Sequence, residues 1–334
     1  MKALLLERPA PATEHPLVRR DLADPMPGAG ELLLRVVACG VCRTDLQIAE
    51  GDLAARRLPI VLGHQVVGVI EALGSGVADR SVGERAGVTW LAGACGTCRA
   101  CASGLENLCH DARFTGWDRD GGFAERMTVR ADFALRLPES LGDIDAAPLL
   151  CGGVVGYRAL RIAGIDPDSG GRRLGLYGFG SSAVLCLQVA VAWGVDVHVA
   201  TRSGRERERA LELGASSVGG YDDVPPQPLD AAISFAPVGQ VAVAALRAVD
   251  RGAPVVINAI HLDGIPAFSY ELLWWERSLR SVANVTRRDA TEFMDVAAAI
   301  GIRAQAQDFG LDDANEALEG LARGALAATA VLRP

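Results

Sequence analysis

Lysine is almost missing from this sequence: Lys2 stands alone among 33 basic residues, set against 41 acidic ones, for a formal net charge of -8 at pH 7 and a pI near 5.2. Binding a nucleic acid requires a basic surface that displaces counterions, and this balance excludes that class of partner. Eight cysteines in 334 residues are too few for a disulfide scaffold, and the apolar opening from Met1 to Leu6 is too short for a signal-peptide core. A reduced, cytoplasmic protein is expected. Charge is also absent from residues 174–195, a stretch long enough to cross a bilayer. Gly175, Gly178, Gly180 and Gly194 interrupt it, Arg172, Arg173 and Asp196 bracket it, and its middle reads as strand, tight turn and helix. No membrane span is expected. Internal repeats and low-complexity segments are missing too, apart from the stiff turn Pro225-Pro226-Gln227-Pro228.

Half of the residues are hydrophobic and 22% are charged, so the chain can bury more than one core, and its length suggests two domains. Up to about residue 150 short β runs alternate with Gly/Pro turns, at 31–37, 66–72, 85–90 and 123–129. From about residue 172 the texture changes. Buried strands at 174–177, 196–200, 231–235 and 254–258 alternate with helices starting at Ser182 and spanning 205–213 and 241–249. Such alternation builds a doubly wound parallel sheet, so the fold class is α/β. Two helices at 291–300 and 311–322 follow, and a last strand at 327–332 must pair with a sheet elsewhere; that of the first domain is expected.

Cys95, Cys98, Cys101 and Cys109 form C-x2-C-x2-C-x7-C in a Gly-rich loop. Four thiolates on one short lobe can close a tetrahedron around a soft divalent metal, and zinc fits best. A closed site of this kind shapes the lobe and does no chemistry; an iron-sulfur cluster or free thiols are the other readings. Elsewhere Cys42 opens Cys42-Arg43-Thr44-Asp45, His64 precedes an apolar strand, and Cys151 stands before Gly152-Gly153 at an expected helix start. Two thiolates and one imidazole leave a fourth position vacant, as a Lewis-acid zinc requires. By spacing alone, though, a small buried Cys or a hydrogen-bonded His explains each of them equally well. The third motif, Gly178-Phe179-Gly180-Ser181-Ser182-Ala183, follows an apolar strand and opens a helix. Gly178, Gly180 and Ser181 would let backbone N–H groups reach a pyrophosphate. Where an NAD site carries an acid, at the end of the next strand, stand Thr201, Arg202 and Ser203. Two hydroxyls around a guanidinium, with no carboxylate to repel it, suit a 2′-phosphate and favour NADP(H); a solvated surface arginine is the other reading.

The order of Cys42-x-Thr44-Asp45, Gly63-His64, the four-cysteine lobe, Cys151 and the Gly-rich turn resembles the zinc-containing alcohol dehydrogenases of the medium-chain dehydrogenase/reductase family. The resemblance covers nearly the whole chain. It implies a GroES-like catalytic domain at 1–153 with a structural-zinc lobe at about 93–110, a Rossmann coenzyme domain at 154–286, and a return to the catalytic domain at 287–334. It implies two zinc ions, one held by Cys42, His64 and Cys151. Thr44 would hydrogen-bond the substrate oxygen, and Asp45 would orient His64. Cys39 and Cys186 match no ligand and read as core thiols. Gln65 stands where the family has a Glu after the Gly-His, and Gln47 where a His ends a proton path. Trp90 and Trp117 would line a cleft suited to apolar or aromatic alcohols and aldehydes, or else pack in the core. Trp274-Trp275 falls where the family forms subunit contacts, implying a homodimer or homotetramer, with core packing as the other reading.

The expected activity is zinc-dependent, NADP(H)-preferring interconversion of alcohols and aldehydes or ketones, with reduction favoured. Gln47 and Gln65 keep a reductase of conjugated C=C or imine substrates in view. A non-catalytic zinc and nucleotide binder is the third possibility, opposed by the joint presence of Cys42, His64, Cys151, Thr44 and Asp45.

Overall fold

The computed structural model describes residues 1–259 and 262–334, which divide into two units. The first comprises Met1–Cys151, Asn284–Ala298 and Arg303–Pro334. Its central strand, Glu31–Gly40, alternates partly and fully buried residues, as an antiparallel strand with one face on a core should. Leu32, Leu34 and Val36 point into that core beside Val66, Ile70, Val88 and Phe123. Glu31–Gly40 pairs with Gln65–Leu73 on one side and Thr329–Arg333 on the other, both antiparallel. The chain's last strand thus joins the main sheet of the first unit, as expected. Arg85–Val88 and Ala134–Arg136 extend one edge of this sheet, and Ala306–Gly310 lies at the other. A smaller sheet of Leu17–Asp21, Lys2–Leu6 and Ile60–Val61 and the two-stranded pair of Leu91–Gly93 and Arg113–Phe114 complete the unit.

The second unit, Gly152–Ala283 with Ala299–Ile302, holds a six-stranded parallel sheet. Its order is Ser217–Gly219, Asp196–Ala200, Arg173–Tyr177, Ala231–Ser234, Pro254–Ile257, Ser278–Ser281. The first strand in sequence therefore lies centrally and the order reverses beside it, the switch point where doubly wound folds open a ligand crevice. Helices Ser181–Ala192, Gly204–Glu212 and Gly239–Ala248 alternate with the strands. The charge-free stretch resolves into strand, turn and helix, and no helix among the described residues is long and apolar enough to cross a membrane.

One local expectation is corrected. Cys151 does not begin a helix: it sits on a π-helical turn, Leu149–Gly153, between the helices Asp143–Pro148 and Val154–Ile162. An extra residue in the turn re-aims side chains within an otherwise continuous helix.

Candidate active site and metal centres

The helix Arg43–Glu50 starts on Cys42, whose sulfur accepts the Thr44 N–H at 3.3 Å. The Asp45 carboxylate turns back to accept the Cys42 N–H at 2.9 Å, closing a capping box. Its other oxygen accepts the Gly63 N–H at 3.1 Å and faces His64 Nδ1 at 3.2 Å. A carboxylate only accepts, so Nδ1 carries a proton, and in the neutral ring Nε2, 3.4 Å from Cys42 Sγ, presents its lone pair. Gly63 makes this approach possible. Its φ is +94°, and a Cβ there would lie 2.4 Å from Phe123 and 2.7 Å from Cys39 Sγ.

Donor atoms of Cys42, His64 and Cys151 lie within 4.8 Å of one another. Zinc bonds of about 2.3 Å to sulfur and 2.0 Å to nitrogen would set a tetrahedral S···N edge near 3.5 Å, close to the 3.4 Å seen. The hydrogen bond from Cys151 and the nearby His64 hold the Cys42 thiol well below its usual range, while Cys42 and burial push Cys151 well above it. Burial disfavours a charged His64, but Asp45 and Cys42 outweigh it and raise the imidazole well above its usual value. Two sulfurs and one imidazole nitrogen so placed suit a divalent ion with a free fourth position, whose binding would displace the protons they carry. Thr44 and Asp45 are buried at 1% and 0% exposure. Gln47 and Gln65 are buried as well, and Gln47 Oε1 and Gln65 Nε2 have no protein partner among the described residues.

In the lobe, sulfur pairs among Cys95, Cys98, Cys101 and Cys109 stand 3.5 to 3.9 Å apart, and a tetrahedron with arms of about 2.3 Å has edges near 3.8 Å. The backbone N–H groups of Thr97 and Cys98 draw the Cys95 thiol down to about 6, whereas burial and the Cys98 thiol push Cys101 up to about 12. Four thiolates in this space need a cation. Cys39 and Cys186 are buried in the core, apart from both clusters.

An aromatic wall runs outward from His64. Trp90 lies 6.2 Å from the imidazole, centroid to centroid, Phe114 4.5 Å from Trp90, and Trp117 5.7 Å from Trp90 with the rings 24° apart. The two tryptophans thus stack on one another with Trp90 beside His64, and Trp117 also packs against the hydrophobic core of the unit. Arg56, missed in the sequence, covers the outer face of Trp117 at 3.8 Å while both Asp118 oxygens accept its Nη1 at 3.0 Å. Trp274 and Trp275 are 58% and 45% exposed, which rules out core packing for them.

In the second unit a cleft of about 650 Å³ is lined by Gly178, Gly180, Thr201, Arg202 and Ser203. Gly178 has φ +90°, and a Cβ would meet Ala236 N at 2.9 Å; a Cβ on Gly180 would meet nothing, so the backbone is open toward the cleft. Ser181 begins the helix behind it. One premise from the sequence fails here: Glu206 lines the same cleft, so a carboxylate does stand near Arg202. Ser203-x-x-Glu206 has the pattern of a capping box, which could have signalled it. Ser203 does cap the helix through the Glu206 N–H, but the Glu206 side chain turns to the Thr201 hydroxyl.

A GroES-like unit with two cysteine clusters, joined to a Rossmann sheet with an open switch point, defines a class of two-domain dehydrogenases and reductases. The comparisons agree. The alcohol dehydrogenase GroES-like domain matches residues 28–139. The chain is 47% identical to the probable alcohol dehydrogenase AdhA of Mycobacterium tuberculosis over 99% of its own length and 97% of the relative's. It superposes on cinnamyl alcohol dehydrogenase from Sorghum bicolor with a TM-score of 0.89, 27% identity and coverage of 99% and 97%. A Sinorhizobium meliloti protein described as a zinc-binding dehydrogenase, solved with NADP, gives 0.87 at 25% identity, covering 100% of this chain and 99% of that one. The chain belongs to the zinc-containing alcohol dehydrogenases of the medium-chain dehydrogenase/reductase family.

Proposed function

We propose that this chain is a zinc-dependent oxidoreductase that interconverts alcohols with aldehydes or ketones, prefers NADP(H), and works better as an aldehyde reductase. The reading is carried by the three-donor cluster of Cys42, His64 and Cys151 beside an aromatic wall. Zinc held there supplies Lewis-acid polarisation of an oxygen, and a nicotinamide coenzyme supplies or takes the hydride. The chain's own residues do the rest. Asp45 fixes the His64 tautomer, and Thr44 carries the proton of the substrate oxygen. Gln47 and Gln65 are amides and do not titrate, so that proton reaches water with no imidazole or carboxylate at either position to take it. Oxidation must release the proton before hydride leaves, and it is the direction that suffers. Trp90, Phe114 and Trp117 favour aromatic or apolar carbonyls over charged ones.

Cys95, Cys98, Cys101 and Cys109 hold a second, shape-keeping zinc in this reading. Gly178, Gly180 and Ser181 take the coenzyme pyrophosphate, and Thr201, Arg202 and Ser203 face the 2′-phosphate. The exposed Tyr270, Trp274 and Trp275 near the edge strand Ser278–Ser281 support a homodimer or homotetramer, and the protein is assigned to the cytoplasm. Coenzyme oxidation against a panel of aldehydes, ketones, enals and imines tests the activity. Turnover confined to aldehydes and ketones is expected. Turnover of enals at C=C or of imines alone replaces it with the second reading, which the unpartnered Gln47 Oε1 and Gln65 Nε2 favour.

A further inference from the structure

The cleft of the second unit sets opposite charges against each other. Arg202 lines it against two acids, Glu206 and Asp222, together with Thr201, Ser203 and Tyr221. The Thr201 hydroxyl donates to Glu206 Oε2. That carboxylate can only accept, so the Thr201 proton is committed to it, while Thr201 Oγ1 also receives the Ser203 N–H at 3.5 Å. Ser203 Oγ in turn accepts the Glu206 N–H at 3.2 Å. The Thr201 hydroxyl is thus committed to the acid, Ser203 Oγ caps the helix backbone, and Arg202 is the one lining cation. Tyr221 registers both charges: burial raises its phenol above the usual range, Arg202 pulls it down and Glu206 pushes it up.

We propose that Glu206 is the coenzyme-selecting acid of this chain, accepting from the hydroxyls of an unphosphorylated adenosine ribose and repelling a 2′-phosphate. The proposal rests on the assignment of this cleft to the coenzyme and deepens it. Selectivity becomes a balance of the Arg202 guanidinium against carboxylate charge, with Glu206, held on Thr201 beside it, set apart from the second lining acid, Asp222, so NADP(H) and NAD(H) are both bound and the margin between them is small. The usual strand-end acid is absent here, and Thr201 stands in its place, holding a carboxylate that arrives from the next helix. A merely structural Glu206, serving the first turn of Gly204–Glu212, would affect both coenzymes alike.

The test is direct binding, read from the change in fluorescence as NADPH or NADH is titrated into zinc-replete wild type, Glu206→Gln and Arg202→Ala. Glu206→Gln is expected to tighten NADPH about ten-fold and to weaken NADH several-fold. The NADPH gain should shrink as salt is raised, because it comes from removing a like charge. Should the amide variant fold poorly, Glu206→Ala must show the same NADPH gain. Parallel weakening of both coenzymes, or no change in either, overturns the proposal. Arg202→Ala separates it from the NADP(H) assignment. If that variant splits the two coenzymes and the Glu206 variants do not, Glu206 is no selector and the phosphate assignment stands. If the Glu206 variants split them and Arg202→Ala does not, the reverse holds.

Discussion

The two cysteine clusters of the first unit are built in opposite ways. The four-thiol lobe draws every donor from residues 95 to 109 and leaves Cys95 exposed. The three-donor cluster draws from residues 42, 64 and 151, and His64 is 1% exposed. The lobe has little core of its own, Leu91, Ala112 and Phe133 packed against its sulfurs, so a metal there substitutes for hydrophobic packing. The three-donor cluster is held by the main sheet, a helix cap and the Asp45 carboxylate, so its geometry stands on protein contacts. On the proposed reading the closed local site serves the fold, and the open composite one serves chemistry.

Substitution at each cluster is the sharpest way to break that comparison. Cys151→Ser should lower activity by about 10³-fold or more, as expected when a Lewis acid is lost, with the melting temperature shifted by only a few degrees. Cys98→Ser should instead cost several kcal/mol of stability and expose the lobe to proteolysis. Elemental analysis should give two zinc ions per wild-type chain and about one in either variant. If Cys151→Ser unfolds the protein while Cys98→Ser leaves it unchanged, the two roles are reversed.

Next in size is the coenzyme cleft. Arg202→Ala should weaken NADP(H) by about ten- to a hundred-fold and NAD(H) little, since a charge-assisted phosphate contact is worth about 1.5 to 3 kcal/mol. Equal losses in titrations with the two coenzymes would remove the phosphate assignment. A smaller effect is expected at the proton path. Gln47→His should raise alcohol oxidation near neutral pH by about ten-fold, well inside the range of general-base help. Its check is the pH profile under conditions where hydride transfer shows an isotope effect; identical profiles for both proteins would take Gln47 off the path.

The smallest concerns stability in the second unit, away from both clusters. Burial pushes the Asp230 carboxyl up, but Arg173, donating from its backbone and its guanidinium, outweighs this and lowers it below the usual range. Asp230→Asn should cost about 1 kcal/mol at neutral pH for this partly exposed pair. A depressed folded pKa stabilises above the unfolded value, so the advantage of the wild type should disappear as pH falls through the folded pKa. A difference that persists at acid pH would trace to packing instead.

What could be read from the sequence follows the same division between local and assembled features. The lobe was legible because its donors share one loop, and the nucleotide turn because strand, glycines and helix are consecutive. The composite cluster was not legible by spacing, since only the folded sheet brings residues 42, 64 and 151 together; the family resemblance singled them out. Glu206 escaped because an acid in a helix's first turn reads as a capping residue, and only the rotamer reveals that it faces Thr201. The edge strands Ser278–Ser281 and Ala306–Gly310 escaped as well. Their sequences, SLRS and AQDFG, carry little β-branched signal, and pairing with a neighbouring strand imposes their extended form.

Asp45 has a consequence for the order of events in the life of the molecule. One carboxylate receives the Cys42 and Gly63 N–H groups and His64, and both backbone donors are available before any ion arrives. The composite cluster is therefore shaped by protein contacts as the sheet closes, and on the proposed assignment a metal would enter an already finished socket. The lobe is anchored through Glu106, whose buried carboxylate accepts the Arg287 N–H and guanidinium, but no carboxylate orders its sulfurs, which would gather around the ion. A newly made chain short of metal would thus emerge with a frayed lobe and an intact but idle centre, ready to be switched on by late delivery.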